Sequence, residues 1–253
     1  MNKTRVIPVL LLRGKGLVKT TKFKDPSYIG DPINSVRIFN EKEVDELVFL
    51  DITATPEGRG PDFELLADIA GEAFMPMAYG GGITTIEQVK RIFSLGFEKI
   101  IINSAAYTAP EVIREAVAIY GSQSIVGCVD VKKTLLGRYE LYSHSATNKQ
   151  PLDMKTHLQN LIALGVGEVL VNTIDRDGTM SGYDLKLLRE VTSNVDVPVV
   201  ACGGASGMAD FEAAVKEASV SAVAAGALFV YMGPHRAVLI NYPARKDIEE
   251  KLP

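Results

Sequence analysis

Pro76-Met-Ala-Tyr-Gly-Gly-Gly82 is answered 122 positions later by Pro198-Val-Val-Ala-Cys-Gly-Gly204. A proline, a short apolar run and a glycine pair recur in one order, and an amphipathic stretch follows each copy. Glycines between a strand and a helix let an anion approach the backbone, where free N–H groups and the positive dipole end receive it. Glu46 matches Glu168, and Asn103-Ser104 matches Ala225-Gly226, at the same offset. A half-length repeat with a phosphate-type loop in each half predicts an elongated ligand held at both ends.

Around these loops, β-rich runs fall at 5–11, 46–52, 76–79, 99–103, 124–130, 168–173, 198–202 and 222–225. Helical periodicity fills most of the gaps. Val89, Ile92 and Phe93 share one face before Gly96, and Leu158, Leu161 and Ile162 repeat that pattern before Gly165, with each glycine placed for a left-handed cap. Asp31-Pro32 reads as an N-cap with proline at the first helical position, opening a helix toward Val44. Strands alternating with helices predict a parallel sheet. An open doubly wound sheet has no reason to repeat at half length, so the fold expected is an α/β (βα)8 TIM barrel with a two-fold half-barrel repeat, one domain over 1–253.

The 253 residues are 47% apolar and 23% charged, with a net charge of −4. That balance argues against nucleic-acid or membrane partners, both of which need a concentrated positive field. Val6–Leu12 is strand-sized, far short of the roughly 20 apolar residues of a membrane span. Met1-Asn2-Lys3-Thr4-Arg5 carries no signal-peptide pattern, so a cytoplasmic protein is expected. Cys128 and Cys202 sit inside expected strands, as buried thiols. His144, His157 and His235 lack ligand spacing. No disulfide, metal or cofactor is expected.

In a (βα)8 barrel the chemistry sits at the C-terminal ends of the strands. Asp51, Asp130 and Asp175 follow strands there and can supply general acid or base chemistry. Gly81, Gly82, Gly203 and Gly204, with Asn103, Ser104, Ala225 and Gly226 beside them, are the candidate phosphate-binding residues. The polar segment from Arg13 to Lys24 is too long for a tight turn and reads as a mobile lid or a solvated basic loop, with Lys19 as its one phosphate-seeking lysine. Asp177, Gly178 and Thr179 form a second polar loop. At the opposite end Arg5, Glu46, Lys99 and Glu168 permit a ring of alternating charge, which closes the barrel floor or gates a small neutral molecule.

Arg5-Val-Ile-Pro8, Val18-Lys19, Gly30-Asp-Pro32, Asp45-Glu-Leu-Val-Phe-Leu-Asp-Ile52, Gly80-Gly-Gly82, Asn103, Asp130 and Ile174-Asp-Arg-Asp-Gly-Thr179 with Ser181-Gly-Tyr-Asp184 resemble the cyclase subunit of imidazole glycerol phosphate synthase. The similarity runs from the start to about Phe229. It implies a lyase and cyclase that accepts ammonia from a glutaminase partner through a charged gate, matching Arg5, Glu46, Lys99 and Glu168, and uses it on a phosphorylated small molecule. Asp51 and the glycine loops are then substrate-binding, and Asp130 is one of two catalytic aspartates. The other falls on Leu11, which moves no proton. Loss of one general acid or base costs about 10²–10⁴ in rate.

The tail Gly233–Pro243, Lys22–Pro26 and Ile38–Leu47 look like the branch implicated in acetamidino modification of surface-polysaccharide sugars, as in lipopolysaccharide biosynthesis. There a sugar-modifying amidotransferase is the further partner. That tail is expected to replace the helix after the eighth strand. A working histidine-pathway cyclase and a noncatalytic scaffold that activates the glutaminase are the alternatives.

Overall fold

Period-two alternation along each strand builds this fold, which a computed structural model describes for residues 3–252. The barrel strands are β1 (Arg5–Arg13), β2 (Leu47–Asp51), β3 (Met77–Gly80) and β4 (Lys99–Ile102), then β5 (Ile125–Lys133), β6 (Glu168–Thr173), β7 (Val199–Cys202) and β8 (Ala222–Ala225). Each is parallel to the next, with Val9 opposite Val48 between β1 and β2 and Asn172 between Asp130 and Cys202. Arg5 opposite Ala222 closes the ring. Successive side chains point to opposite faces. On β1, Ile7, Val9 and Leu11 therefore join the interior cluster with Val48, Ala78, Ile101, Val126, Leu170 and Val200. Val6, Leu10 and Leu12 turn outward into the larger core under the helices.

The covering helices are α1 (Pro32–Glu41), α2 (Phe63–Glu72), α3 (Ile86–Ser94), α4 (Pro110–Tyr120), α5 (Met154–Leu164), α6 (Leu185–Thr192), α7 (Met208–Ala218) and α8 (Arg245–Lys251). Their starts follow the side-chain chemistry. Asp31 accepts from the Asn34 N–H at α1, and Thr85 and Gln88 form a reciprocal capping box at α3. Gly165 ends α5 in the left-handed region, as its position predicts, and Gly96 has φ 102° just after α3. Helix α1 stops at Glu41, short of Val44.

Three expectations change. The segment after β1 is an ordered antiparallel hairpin, Gly16–Thr21 with Lys24–Gly30, because Leu11 and Leu12 offer β1 edge positions above β8 that Val18 and Leu17 fill. The tail Gly233–Pro243 is itself free of helix but does not replace one: it supplies a strand of the hairpin Tyr231–Met232 with Ala237–Val238, and α8 follows it. The repeat also slips by one position at its last strand. The residue capping the short helix Ser104–Thr108 is Asn103, with φ −113° and ψ −75°, and its conformational counterpart before Ala227–Val230 is Gly226, with φ −106° and ψ −71°, rather than Ala225.

The half-barrel symmetry extends to the loops. β1 and β5 both run on past the barrel, and β5 pairs with Tyr139–Ser143. The first hairpin leans onto the second half, where the Lys22 N–H donates to Asp177 O at 2.8 Å. The second leans back onto the first half, where the Ser145 hydroxyl donates to Ile52 O at 2.6 Å and the His144 N–H to Ser104 Oγ at 3.1 Å. Among the described residues no helix is long and apolar enough to cross a membrane.

Candidate functional site

The inward parity of the strands carries two polar constellations, one at each end. At the C-terminal end a cavity of 380 Å³ opens, walled below by Val9, Leu11, Leu50, Ile101 and Cys128 and topped by the loops. Lys19, Asp51, Gly81, Gly82, Asn103, Ser104, Asp130, Asp177 and Gly226 line it. Gly178, Thr179, Gly203, Gly204 and Ala225 lie outside that lining.

Asp130 stands on β5 with its Oδ2 2.7 Å from Asn103 Nδ2 and its Oδ1 3.7 Å from the Cys128 thiol. Burial pushes its pKa from 3.8 up to about 7. Among the carboxylates that line the cavity, it alone has no cationic partner: Asp51 is gripped by Arg59 at 2.9 and 3.1 Å, and Asp177 by Lys19 at 2.8 and 3.0 Å. A buried carboxyl poised near neutrality is suited to passing protons. Leu11, on the strand facing β5 across the barrel, contributes only hydrocarbon, and the other two acidic side chains of the cavity, Asp51 and Asp177, are held in ion pairs by Arg59 and Lys19. The Oδ1 atoms of Asn103 and Asn172 are buried without a partner. Both residues line the cavity, so each holds an acceptor ready for a donor.

The two glycine loops behave differently. Gly81 and Gly82 have φ 122° and 68°, and an added Cβ would meet Asp51 O at 2.5 Å and Arg59 O at 2.6 Å. They form one wall of the cavity beside Asn103 and Ser104. In the second half the close approaches are likewise to the chain itself, but Gly203 and Gly204 stand off the cavity lining. A Cβ on Gly178 would lie 2.2 Å from Thr20 O, one on Gly204 2.3 Å from Gly182 O, and one on Gly226 3.1 Å from Lys19 Cε. Thr179 spends its hydroxyl on Arg176 O at 2.7 Å, and Arg236 reaches down to donate to Gly178 O at 2.7 Å. The first hairpin thus lies over the second cradle. Asp175 stands apart from the cavity, and its carboxylate accepts from the Lys133 N–H at 2.6 Å.

Arg59 escaped the sequence reading, although it sits at the cavity wall holding Asp51 in a two-point grip. Its only signal is placement eight residues after a strand-end aspartate. Asn172, paired with Asp130 on the inward parity of β6, carries the same strand-end signal.

At the N-terminal end Arg5 pairs with Glu46 and Glu168, and Lys99 bridges the same two at 3.1 and 2.9 Å. The expected alternating ring is present as a closed cycle. Between it and the cavity lies an apolar layer of Ile7, Val48, Ala78, Val126, Leu170, Val200, Ala222 and Ala224. Three of its members are alanines, which leaves little side chain to displace. Cys128 and Cys202 are buried free thiols, with the pKa of Cys202 pushed up to about 12 by burial.

Residues 5–234 match the family described as Histidine biosynthesis protein. A relative from Pseudomonas aeruginosa (strain PAO1), provisionally named imidazole glycerol phosphate synthase subunit hisF2, is 52% identical over 243 residues, covering 96% of this chain and 97% of its own. One from Leptospira interrogans, provisionally named subunit HisF of the same synthase, is 50% identical over 98% of both chains. The imidazole glycerol phosphate synthase subunit HisF of Alkaliphilus metalliredigens (strain QYMF) is 39% identical over 90% of both. With a closed eight-strand parallel barrel beneath that similarity, the chain belongs to the histidine biosynthesis protein family, among the HisF-like cyclase subunits of imidazole glycerol phosphate synthase.

Proposed function

We propose that this barrel accepts ammonia from a glutaminase subunit docked on its N-terminal face and hands it on, through the barrel, to an acceptor enzyme. The acceptor in this reading is an amidotransferase that forms acetamidino groups on a surface-polysaccharide sugar. The observation that carries the reading is Asp130 facing Leu11. One proton-transfer carboxyl is in place and poised near neutrality, and the wall opposite is hydrocarbon. The charged ring of Arg5, Glu46, Lys99 and Glu168 lies where ammonia would enter, and the thin layer of Ala78, Ala222 and Ala224 lies on its way. Gly81, Gly82, Asn103 and Ser104 suit a phosphorylated ligand at one end of the cavity. The sugar assignment rests on the tail and loop resemblance alone.

An ammonia-driven cyclase assay, run on the native chain and on Leu11→Asp, tests it. The native chain is expected at least a hundredfold below the substituted one, the size of one lost acid or base, about 10²–10⁴. Native turnover equal to that of Leu11→Asp would return the protein to histidine synthesis, the reading that Asp130 and the intact Gly81-Gly82 wall favour.

A further inference from the structure

The face around the cavity mouth carries a second property that neither the cyclase resemblance nor the charged ring accounts for. Three hairpins rise from the C-terminal ends of β1, β5 and β8, and all three are tied to the loops of that end. Their tips present large apolar side chains to solvent. Leu135 and Leu136 are 107% and 86% exposed, and Met232, Val238 and Leu239 about half exposed. Tyr28 stands out from the first hairpin at 69%. Large apolar side chains this exposed on three hairpins of one end offer anchors to a partner.

The charge on these hairpins runs against that of the whole chain. Arg13, Lys15, Lys22, Lys24, Lys132 and Arg138 are all exposed, against Asp25 and a half-buried Glu140 that is already paired with Lys149. A chain of net charge −4 has therefore gathered positive charge on one face and left the rest of its surface more acidic than the average suggests. Apolar anchors inside a basic rim fit a protein partner with an acidic face. Leucines and a methionine, rather than stacked aromatics, fit a polynucleotide poorly.

We infer that the hairpin face of the barrel is the docking surface for the ammonia-consuming enzyme, an acidic-faced protein that seats on Leu135, Leu136 and the tail hairpin and covers the cavity mouth. The inference rests on the ammonia-conduit reading and adds to it where nitrogen leaves. The cavity that Asp130 and Leu11 line opens among the loops that carry these hairpins, so a partner seated there receives ammonia without release to bulk water, where it would be protonated.

A photoreactive residue at position 136, in the complex with its glutaminase, is used to capture neighbours from an extract of the host cell. Each captured protein is purified and assayed for consumption of nitrogen from ammonium chloride and from glutamine. The inference expects one that uses ammonium chloride alone, but uses glutamine only with both subunits present. Leu135→Glu with Leu136→Glu should lower the glutamine-driven rate at least tenfold while the ammonium-driven rate and glutaminase binding hold. Lys22→Glu with Lys24→Glu should do the same, most strongly at low salt. Capture of a second copy of this chain alone, of a polynucleotide, or of no ammonia-consuming protein overturns the inference. A glutamine-driven rate unmoved by either pair overturns the docking face and leaves the conduit standing, whereas no glutamine-driven transfer in the unsubstituted complex removes the conduit itself.

Discussion

Asn103 donates to Asp130 across 2.7 Å, a neutral amide holding a carboxyl that no cation touches. This pairing orients the group without fixing its charge, and burial is left to set its proton affinity, up to about 7. The native state therefore keeps a proton that the unfolded chain, at 3.8, has already released. Below about pH 4 both states are protonated. As pH rises from there to 7 the unfolded state alone loses the proton, so native stability falls, and it levels off above 7.

Asp130→Asn removes that penalty. Denaturant unfolding should find the variant more stable than the native protein by about 2–4 kcal/mol at pH 8 and nearly equal to it at pH 4. A difference independent of pH would mean that Asp130 is ionised with ease where it sits.

The two glycine walls make a matched pair of tests. Gly82→Ala and Gly204→Ala each place a methyl group against immovable backbone, 2.6 Å from Arg59 O and 2.3 Å from Gly182 O, at positive φ. Each should destabilise by about 2 kcal/mol or more. Only Gly82 lines the cavity. Calorimetric titration with inorganic phosphate should therefore show binding weakened by Gly82→Ala and retained by Gly204→Ala, and equal loss in both would place an anion on the second cradle.

The floor ring is a cycle of four charges, and Lys99 makes two of its four links. Lys99→Met leaves Glu46 and Glu168, both nearly buried, to share Arg5. Thermal unfolding at pH 7 should show a loss of about 1–3 kcal/mol, reduced from the fully buried case because Arg5 and Lys99 are partly wetted. Adding Glu168→Gln removes one of the stranded carboxylates, so the double variant should recover part of that loss. A double variant worse than the single would show that Glu168 is stabilised by contacts outside the ring.

Much of this was legible because inward parity is a property of sequence. Arg5, Ile7, Val9 and Leu11 step along one strand, and Val126, Cys128 and Asp130 along another, so the ring, the apolar layer and the cavity wall follow from counting by two. The hairpins were not legible. Lys22, Phe23 and Asp25 adopt positive φ, a conformation their side chains do not announce, and that turn is held by Asp177 from 155 residues away. The backbone packing around the second glycine loop is illegible for the same reason. Its glycines admit close approach, but what approaches is Thr20 and Gly182, and nothing local in sequence distinguishes backbone from ligand.

Arg236 fastens the tail hairpin to that cradle. Its guanidinium donates to Gly178 O at 2.7 Å and stacks over the Tyr231 ring at 4.7 Å, while its own backbone sits at φ 51°. Both contacts are made near the surface, so Arg236→Ala should lower global stability by only about 1 kcal/mol. The local effect should be larger, because Tyr231–Met232 and Ala237–Val238 form just a two-residue ladder, held at its base by the Leu239 N–H donating to Val230 O at 3.0 Å. Amide hydrogen exchange should quicken across residues 231–239 and leave Lys22, whose N–H is held by Asp177 O at 2.8 Å, protected as before. Exchange that quickens equally at Lys22 would show the tail and the first hairpin to open as one cooperative unit, with Gly178 as the shared anchor.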